Sequence, residues 1–225
     1  RNRVYALDAA TGAVVWVFNA ATSGSPYSNN NGSYTVARFG NPGGAIPDYA
    51  RGRIYLGSDN NSSNPTLRAL DASTGSIVWS TNTGGSIQNP PMLSYHSTLS
   101  PRLWVGSSSA KKLKAIDLTG ETCGAAGCVI WSTDTSGNAV FDKNSTLNLG
   151  ANISATPPRL FVTATNGNLY TFSDNGSSVS AAGTYNVSAD VKSAPAYHWT
   201  GKIFVSQSDG RVAQTDFYAT VAFAK

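Results

Sequence analysis

Short runs of apolar residues recur along the whole chain, and clusters of Gly, Asn, Ser and Asp separate them. Four of the runs share one order: a basic residue, an aliphatic residue, an aromatic residue and another aliphatic residue. They lie at residues 53–56, 102–105, 159–162 and 202–205. Runs of β-branched and aromatic residues bounded by turn formers predict β-strands, and no stretch reads as a long helix. The pattern therefore predicts an all-β chain.

A longer motif accompanies these runs and repeats along the chain. The pattern A-x-D-x-x-T-G-x-x-V-W fits residues 6–16 and 69–79 without a gap. A third copy starts at residues 115–120 and resumes at residues 129–131, after an insertion that holds both cysteines. The chain is thus built largely from one repeated unit. Weaker copies, in which the Trp is lost, lie at residues 171–176 and 213–215.

The polar positions of the motif predict a tight turn between two strands. The Asp side chain can accept hydrogen bonds from the amides ahead of it, Thr can add its hydroxyl, and Gly supplies the positive φ that closes the loop. Trp then falls on the outer strand, where its indole would pack against the neighbouring unit with its N–H near a backbone acceptor. We therefore expect structural roles for Asp8, Gly12, Trp16, Asp71, Gly75, Trp79, Asp117, Gly120 and Trp131.

The spacing of the repeats predicts their architecture. Successive Asp positions of the motif lie between 42 and 63 residues apart, and a four-stranded propeller blade takes ~40–50 residues. We expect a β-propeller of four-stranded antiparallel blades, with an incomplete set of blades from a larger propeller. Pairing of the two ends would instead give a small closed ring. The expected units are a part blade at 1–19, blades at 40–85, 86–135 and 150–187, and a part blade at 192–225.

The motif resembles the tryptophan-docking motif of the quinoprotein (PQQ) alcohol dehydrogenases and of the wider PQQ-like repeat superfamily. That superfamily also includes outer-membrane assembly lipoproteins, sensor domains and PilY-type pilus-tip propellers. The resemblance implies a blade type more than an activity. A dehydrogenase of this kind would need adjacent cysteines, an Asp base and a set of calcium-binding oxygens, and none of these is assignable in this sequence.

The spacing of the cysteines and the distribution of charge predict an oxidising compartment and no binding of nucleic acid. Cys123 and Cys128 flank a Gly/Ala-rich stretch, and this spacing favours a local disulfide, hence an extracytoplasmic compartment, over a metal site or free thiols. Charged residues make up only 12% of the chain, and the net charge of +4 is dispersed, so no nucleic-acid-binding stripe is expected. No stretch reaches the ~18 apolar residues of a membrane span.

Two loops are candidates for binding. Asp59 and Asn61 offer oxygens for a weak calcium site, but calcium generally wants several carboxylates, so an ordinary Asn/Ser loop is favoured and no cofactor is expected. Tyr27 and Tyr34 lie in the long polar insertion at residues 20–41, which is either a binding loop or a linker. His96 and His198 follow similar aromatic contexts, and packing of the inner hairpin is favoured there over a ligand site.

These observations favour a non-catalytic extracytoplasmic propeller that acts in binding, adhesion or scaffolding. We expect a protein or surface glycan as its partner, as for a pilus-associated or other cell-surface protein within a larger assembly. Two alternatives remain open at this point. One is a fragment of a PQQ-dependent periplasmic alcohol dehydrogenase, and the other is an outer-membrane assembly scaffold.

Overall fold

The computed structural model describes most of the chain, with gaps between strands. It describes residues 3–19, 45–58, 65–87, 90–107, 112–121, 124–132, 148–152, 155–163, 167–187, 191, 195–198, 201–207 and 212–216. Within these residues the regular structure is β-strand throughout, as the alternation of strand-forming runs and turn formers predicts. None of the described residues belongs to a helix long and apolar enough to cross a membrane.

The described strands form five antiparallel sheets, which we number as blades 1 to 5 in chain order. Blade 1 consists of β1 (Arg3–Leu7) and β2 (Val14–Asn19). Blade 2 consists of β3 (Ile46–Asp48), β4 (Arg53–Gly57), β5 (Leu67–Asp71) and β6 (Ile77–Thr81). Blade 3 consists of β7 (Met92–His96), β8 (Leu99–Ser107), β9 (Lys112–Asp117) and β10 (Val129–Ser132). Blade 4 consists of β11 (Asn148–Asn152), β12 (Arg159–Thr163), β13 (Asn168–Asp174) and β14 (Val179–Asn186). Blade 5 consists of β15 (Ala196–His198), β16 (Lys202–Ser206) and β17 (Val212–Asp216).

Each four-stranded blade is a simple meander, because consecutive strands are hydrogen-bonded neighbours. The repeat therefore sets the register. Leu7 lies opposite Val14 in blade 1, and Leu70 lies opposite Ile77 in blade 2, in each case just after a bulge that follows an alanine. Blade 1 thus reproduces the outer half of blade 2 residue by residue.

The aliphatic and aromatic positions of the second strand in each blade face opposite neighbours, as alternation along a strand requires. In β8, Leu103 and Val105 pack toward blade 2, whereas Trp104 packs toward blade 4. The same division holds in β12, where Phe161 packs toward blade 5. Both faces of a middle blade are therefore buried, which explains why these strands read as nearly continuous apolar runs.

Four hydrophobic clusters hold the blades together, one at each junction between consecutive blades. Trp16 and Phe18 meet Leu56 and Leu70 at the first junction. Among the described residues no cluster joins blade 5 to blade 1. The described sheets therefore form an open series of propeller blades. The ends of the chain lie outside the described residues, so their pairing is not tested.

Candidate functional site

The motif aspartates sit at the head of each turn and organise it. Oδ1 of Asp8 accepts hydrogen bonds from the amide of Thr11 at 2.8 Å and from its hydroxyl at 2.7 Å. Oδ1 of Asp71 likewise accepts from the amides of Ser73 and Thr74, at 3.0 and 3.2 Å. The bond from the Thr11 hydroxyl, followed by those from the backbone, lowers the pKa of Asp8. These carboxylates are thus ionised acceptors within their own turns.

The motif glycine forms a flat surface on which a tryptophan of the preceding blade lies, and we call this surface the tryptophan seat. Gly75 has φ +72, and a Cβ added there would lie 2.7 Å from Cδ2 of Trp16. The indole Nε1 of Trp16 donates a hydrogen bond to the carbonyl of Ala72 at 2.9 Å. A Cβ on Gly127 would lie 2.5 Å from Cε3 of Trp79. The glycines are needed for close approach as well as for their positive φ.

The cysteine-containing insertion changes which glycine forms the third seat. The amides of Gly12 and Gly75 donate to the carbonyls of Asp8 and Asp71, both at 2.8 Å, and the amide of Gly127 donates to the carbonyl of Asp117 at 2.6 Å. Gly127 therefore takes the motif position that the sequence spacing assigns to Gly120. The inserted residues lie between the Asp and the Gly of the turn.

Gly120 instead packs inside the inserted loop. A Cβ on Gly120 would meet backbone atoms of Ala125 and Ala126 at 3.1 to 3.2 Å. Asp117 keeps its own role, because Oδ1 accepts from the amides of Thr119 and Gly120 at 2.8 and 3.1 Å. Cys123 lies outside the described residues, so the disulfide with Cys128 stays a prediction.

Trp131 packs differently from the two other motif tryptophans. Its ring meets Phe172 of blade 4 edge-on, with centroids 6.4 Å apart, and meets Trp104 of its own blade at 6.2 Å. The third junction also carries a buried ion pair, in which Nη1 of Arg102 lies 2.8 Å from Oδ1 of Asp174. The equivalent Arg53 pairs instead with Asp71 of its own blade at 2.9 Å. Blade 4, which lacks the full motif, is thus fixed to blade 3 by other contacts.

A polar cluster joins the first strands of blades 2 and 3. The carboxylate of Asp48, only 1% exposed, accepts hydrogen bonds from the hydroxyls of Tyr55 and Tyr95. Arg51 lies over the Tyr95 ring, with Cζ 5.2 Å from the centroid. Burial, and then the bond to Asp48, raises the pKa of both tyrosines. Both therefore stay protonated hydrogen-bond donors at neutral pH.

The candidate binding and metal-ligating residues from the sequence do not belong to these junctions between blades. Tyr27, Tyr34, Asp59 and Asn61 fall outside the described residues, so both loop interpretations remain predictions. In the part of the chain that the structure describes, no group of three or more His, Cys, Asp or Glu residues could hold a metal ion. His96 contacts Thr98 locally, its Nδ1 lying 3.0 Å from the hydroxyl. In blade 5, Asp216 and not Thr215 lies opposite Lys202, the position that Asp71 holds opposite Arg53.

Sequence reasoning missed the residues that act between blades. These are Gly127 against Trp79, Arg102 with Asp174, and Asp48 with Tyr95. In each pair the partners lie on different blades and far apart in the sequence, where no short motif operates. One signal was available. Gly127 stands four positions before Trp131, just as Gly12 stands four positions before Trp16. Aligning the copies backwards from the Trp, and not forwards from the Asp, would therefore have identified Gly127.

Comparison with known proteins agrees with this blade geometry. Residues 1–220 match the family model described as outer membrane protein assembly factor BamB. The chain belongs to this family of PQQ-like β-propeller repeats. No curated protein matches the sequence significantly.

Two solved propeller structures resemble the chain at low identity. The WD40 β-propeller domain of Doa1 is 13% identical, with a TM-score of 0.52, over 91% of this chain and 54% of that one. BamB from Moraxella catarrhalis is 15% identical, with a TM-score of 0.48, over 96% of this chain and 67% of that one. The chain thus spans about half of the Doa1 domain and two thirds of the BamB chain. The likeness to Doa1 shows a propeller fold, and family membership makes the chain a PQQ-like propeller.

Proposed function

We propose that this protein is a non-catalytic, extracytoplasmic propeller scaffold that binds protein partners during the assembly of envelope or surface structures. One observation carries the proposal: the acidic and aromatic residues that the repeat supplies serve the turns and the junctions between blades. Asp8 and Asp71 accept bonds from their own turns, and Trp16 and Trp79 lie on glycines of the next blade.

A stack of rigid blades presents its connecting loops in fixed positions, and such loops commonly carry recognition. The polar insertion with Tyr27 and Tyr34 is the candidate binding loop within this proposal. Tyrosines flanked by Ser, Asn and Gly supply contact area together with adaptable hydrogen bonding. The match to an outer membrane assembly family favours a protein partner in the cell envelope over a surface glycan.

Binding of purified partners tests the proposal directly. The full-length protein should bind a purified outer-membrane barrel-assembly protein in a surface-based assay, and deletion of residues 22–32 should weaken that binding. Deletion of residues 133–143, another polar stretch of equal length, serves as the matched control and should leave it intact. Binding of purified pilin or of a surface glycan instead would move the role to adhesion. No binding to any of the three would contradict the proposal.

The dehydrogenase alternative has its own test. PQQ and calcium are added to the full-length protein, and the absorbance of bound quinone and the oxidation of alcohols with a redox dye are measured. The scaffold proposal predicts neither signal. A stoichiometric quinone spectrum with alcohol-dependent dye reduction would replace it with an enzyme.

A further inference from the structure

Lys114 carries a half-buried ammonium group at the junction between blades 2 and 3. It lies on β9 opposite Val105, and it alternates with Leu113 and Ala115, which pack toward blade 4. The Lys114 side chain therefore faces blade 2, as alternation along a strand requires. Among the described residues, none accepts a hydrogen bond from its Nζ or forms an ion pair with it. An ammonium has three donors, and burying such donors without acceptors is unfavourable.

The repeat itself does not require a cation at this position of the third strand. The equivalent residue is Arg68 in blade 2, Tyr170 in blade 4 and Ala213 in blade 5. Arg68 donates a hydrogen bond to the hydroxyl of Ser58 at 3.1 Å, and Tyr170 and Ala213 are both buried. Neutral side chains thus fit the same place in other blades, so blade packing does not explain the positive charge of Lys114.

The ammonium faces an open turn that follows the last strand of blade 2. Gly84 in this turn has φ +79, and its amide donates a hydrogen bond to Oδ1 of Asn82 at 2.8 Å. A Cβ added at Gly84 would lie 3.7 Å from Nζ of Lys114 and, chain neighbours aside, within 4 Å of no other described atom. The absence of a side chain therefore leaves space beside the ammonium, and an atom placed there would contact Nζ.

A second lysine on the same side of β9 adds to the positive charge. Lys112 precedes Lys114 by two residues, which places their Cα atoms ~7 Å apart. Burial, and then the charge of Lys112, lowers the pKa of Lys114. The acidic residue of this strand, Asp117, lies at its far end, where Oδ1 accepts from the amides of Thr119 and Gly120. An anion beside Lys114 would offset both effects on its pKa.

We propose that Lys114, with Lys112 and the Gly84 turn, forms a carboxylate-binding site for an acidic segment of a protein partner. A carboxylate supplies acceptor oxygens and one negative charge, which matches the charge of the Lys114 ammonium. A second acidic residue two positions along an extended segment would lie ~7 Å away and could reach Lys112. The identity of the partner as a protein rests on the proposed function, whereas the site rests on the surroundings of Lys114.

Protection of Lys114 from acetylation tests the site. The protein is treated with N-hydroxysuccinimidyl acetate at constant ionic strength, and mass spectrometry measures the rate at each lysine. The peptide acetyl-Glu-Gly-Glu-amide, at about ten times its Kd, should slow acetylation of Lys114 roughly tenfold, since about one site in ten stays empty. The uncharged peptide acetyl-Gln-Gly-Gln-amide should not slow it. Lys202 of blade 5, of similar exposure, is the internal reference.

A pair of variants at Gly84 locates the site. Asp and Asn have the same shape and both tolerate a positive φ, so Gly84→Asp and Gly84→Asn carry a comparable folding cost. Only Gly84→Asp places a carboxylate within reach of Lys114. A nearby opposite charge raises the pKa of a lysine by about one unit or more, which lowers the reactive free amine about tenfold. Without peptide, Lys114 should therefore be acetylated about tenfold more slowly in Gly84→Asp than in Gly84→Asn.

A binding assay with the purified barrel-assembly protein tests the role of the site. Lys114→Met should weaken this binding about tenfold, because a charge-assisted hydrogen bond is lost. Lys202→Met, the matched control, should leave it unchanged. Equal affinities of the Lys114→Met variant and the unchanged protein would remove the site from this interface. If the unchanged protein does not bind the barrel protein at all, the proposed function fails, and the acetylation rates still decide the carboxylate site.

Three further results would overturn the proposal. One is equal protection of Lys114 by the charged and the uncharged peptide. Another is equal acetylation of Lys114 in the Gly84→Asp and Gly84→Asn variants. The third is stronger protection by inorganic phosphate than by the Glu-containing peptide, which would assign the site to a phosphate group instead of a carboxylate.

Discussion

The indole of Trp79 lies against Gly127, the last residue before Cys128, at the point where blade 2 meets the inserted loop of blade 3. A Cβ on Gly127 would come within 2.5 Å of the Trp79 ring, and the hydroxyl of Thr81 donates a hydrogen bond to the Gly127 carbonyl. The inserted loop thus ends on the glycine against which the tryptophan of the neighbouring blade lies. The loop is part of the junction.

Gly127→Ala should destabilise the protein more than Gly124→Ala. Both glycines have a positive φ, +89 and +82, which costs an alanine roughly 1–2 kcal/mol. Only Gly127 adds a clash with Trp79, since an added Cβ at Gly124 meets nothing within 4 Å, and overpacking of this kind costs about 1–3 kcal/mol more. Urea denaturation of both variants measures the difference. Equal losses would show that the Trp79 contact does not stabilise the junction.

Arg102→Met should destabilise the protein far more than Arg53→Met, although both arginines hold the same position of the repeat. The Arg102 and Asp174 side chains are 4% and 2% exposed, and removing one partner of such a pair leaves a buried charge, at a cost of ~3–5 kcal/mol. The Arg53 and Asp71 side chains are 30% and 31% exposed, and such a pair contributes roughly 0.2–1 kcal/mol.

Chemical denaturation at pH 7 measures both losses. Because burial already raises the pKa of Asp174 and Arg102 counteracts that rise, Arg102→Met should raise this pKa further. The double variant Arg102→Met with Asp174→Leu should recover much of the stability. Similar losses of stability for Arg102→Met and Arg53→Met would contradict a stabilising role of the buried ion pair at the third junction.

Asp71→Asn should change how stability depends on pH. The hydroxyl and then the amide of Ser73 hold the pKa of Asp71 below its usual value of 3.8. The carboxylate therefore contributes stability above pH 3.8, and this contribution is lost as the pH falls through the lower folded value. Asn keeps an acceptor oxygen but cannot titrate.

The stability difference between Asp71→Asn and the unchanged protein should thus be present at pH 7 and shrink below pH 3.8. Thermal denaturation across this range measures it. Asp8→Asn should follow the same profile, because the Thr11 hydroxyl lowers the pKa of Asp8 in the same way. A stability difference that stays constant with pH would show that the turn does not depend on the negative charge of the carboxylate.

We expect Cys123 and Cys128 to be joined by a disulfide in protein purified from an oxidising compartment. When the protein is denatured without reductant, iodoacetamide should then label neither thiol, and after reduction it should label both. In the chain-entropy account a loop this short contributes about 2 kcal/mol. Reduction should therefore lower the thermal midpoint, and a Cys123→Ser, Cys128→Ser double variant should no longer respond to reductant. Labelling before reduction would argue for free thiols or a metal site.

The strands, the blade type and the local turns follow from the sequence alone, because they depend on neighbours a few residues apart. Asp8 and Thr11 stand three positions apart, so their hydrogen bond can be expected from the motif. The order of basic, aliphatic, aromatic and aliphatic residues likewise predicts strands buried on both faces, since alternate side chains point to opposite sides.

Only the tertiary structure decided which residues join one blade to the next. Because of the inserted loop, Gly127 and not Gly120 forms the tryptophan seat of blade 3, and backbone hydrogen bonds, not spacing, identify it. Arg53 and Arg102 look alike in the sequence, yet Arg102 reaches the next blade because Asp174 is buried beside it. The exposure of Leu7 and Val14 was also invisible in the sequence, since burial depends on what packs against a face and not on the residues that form it.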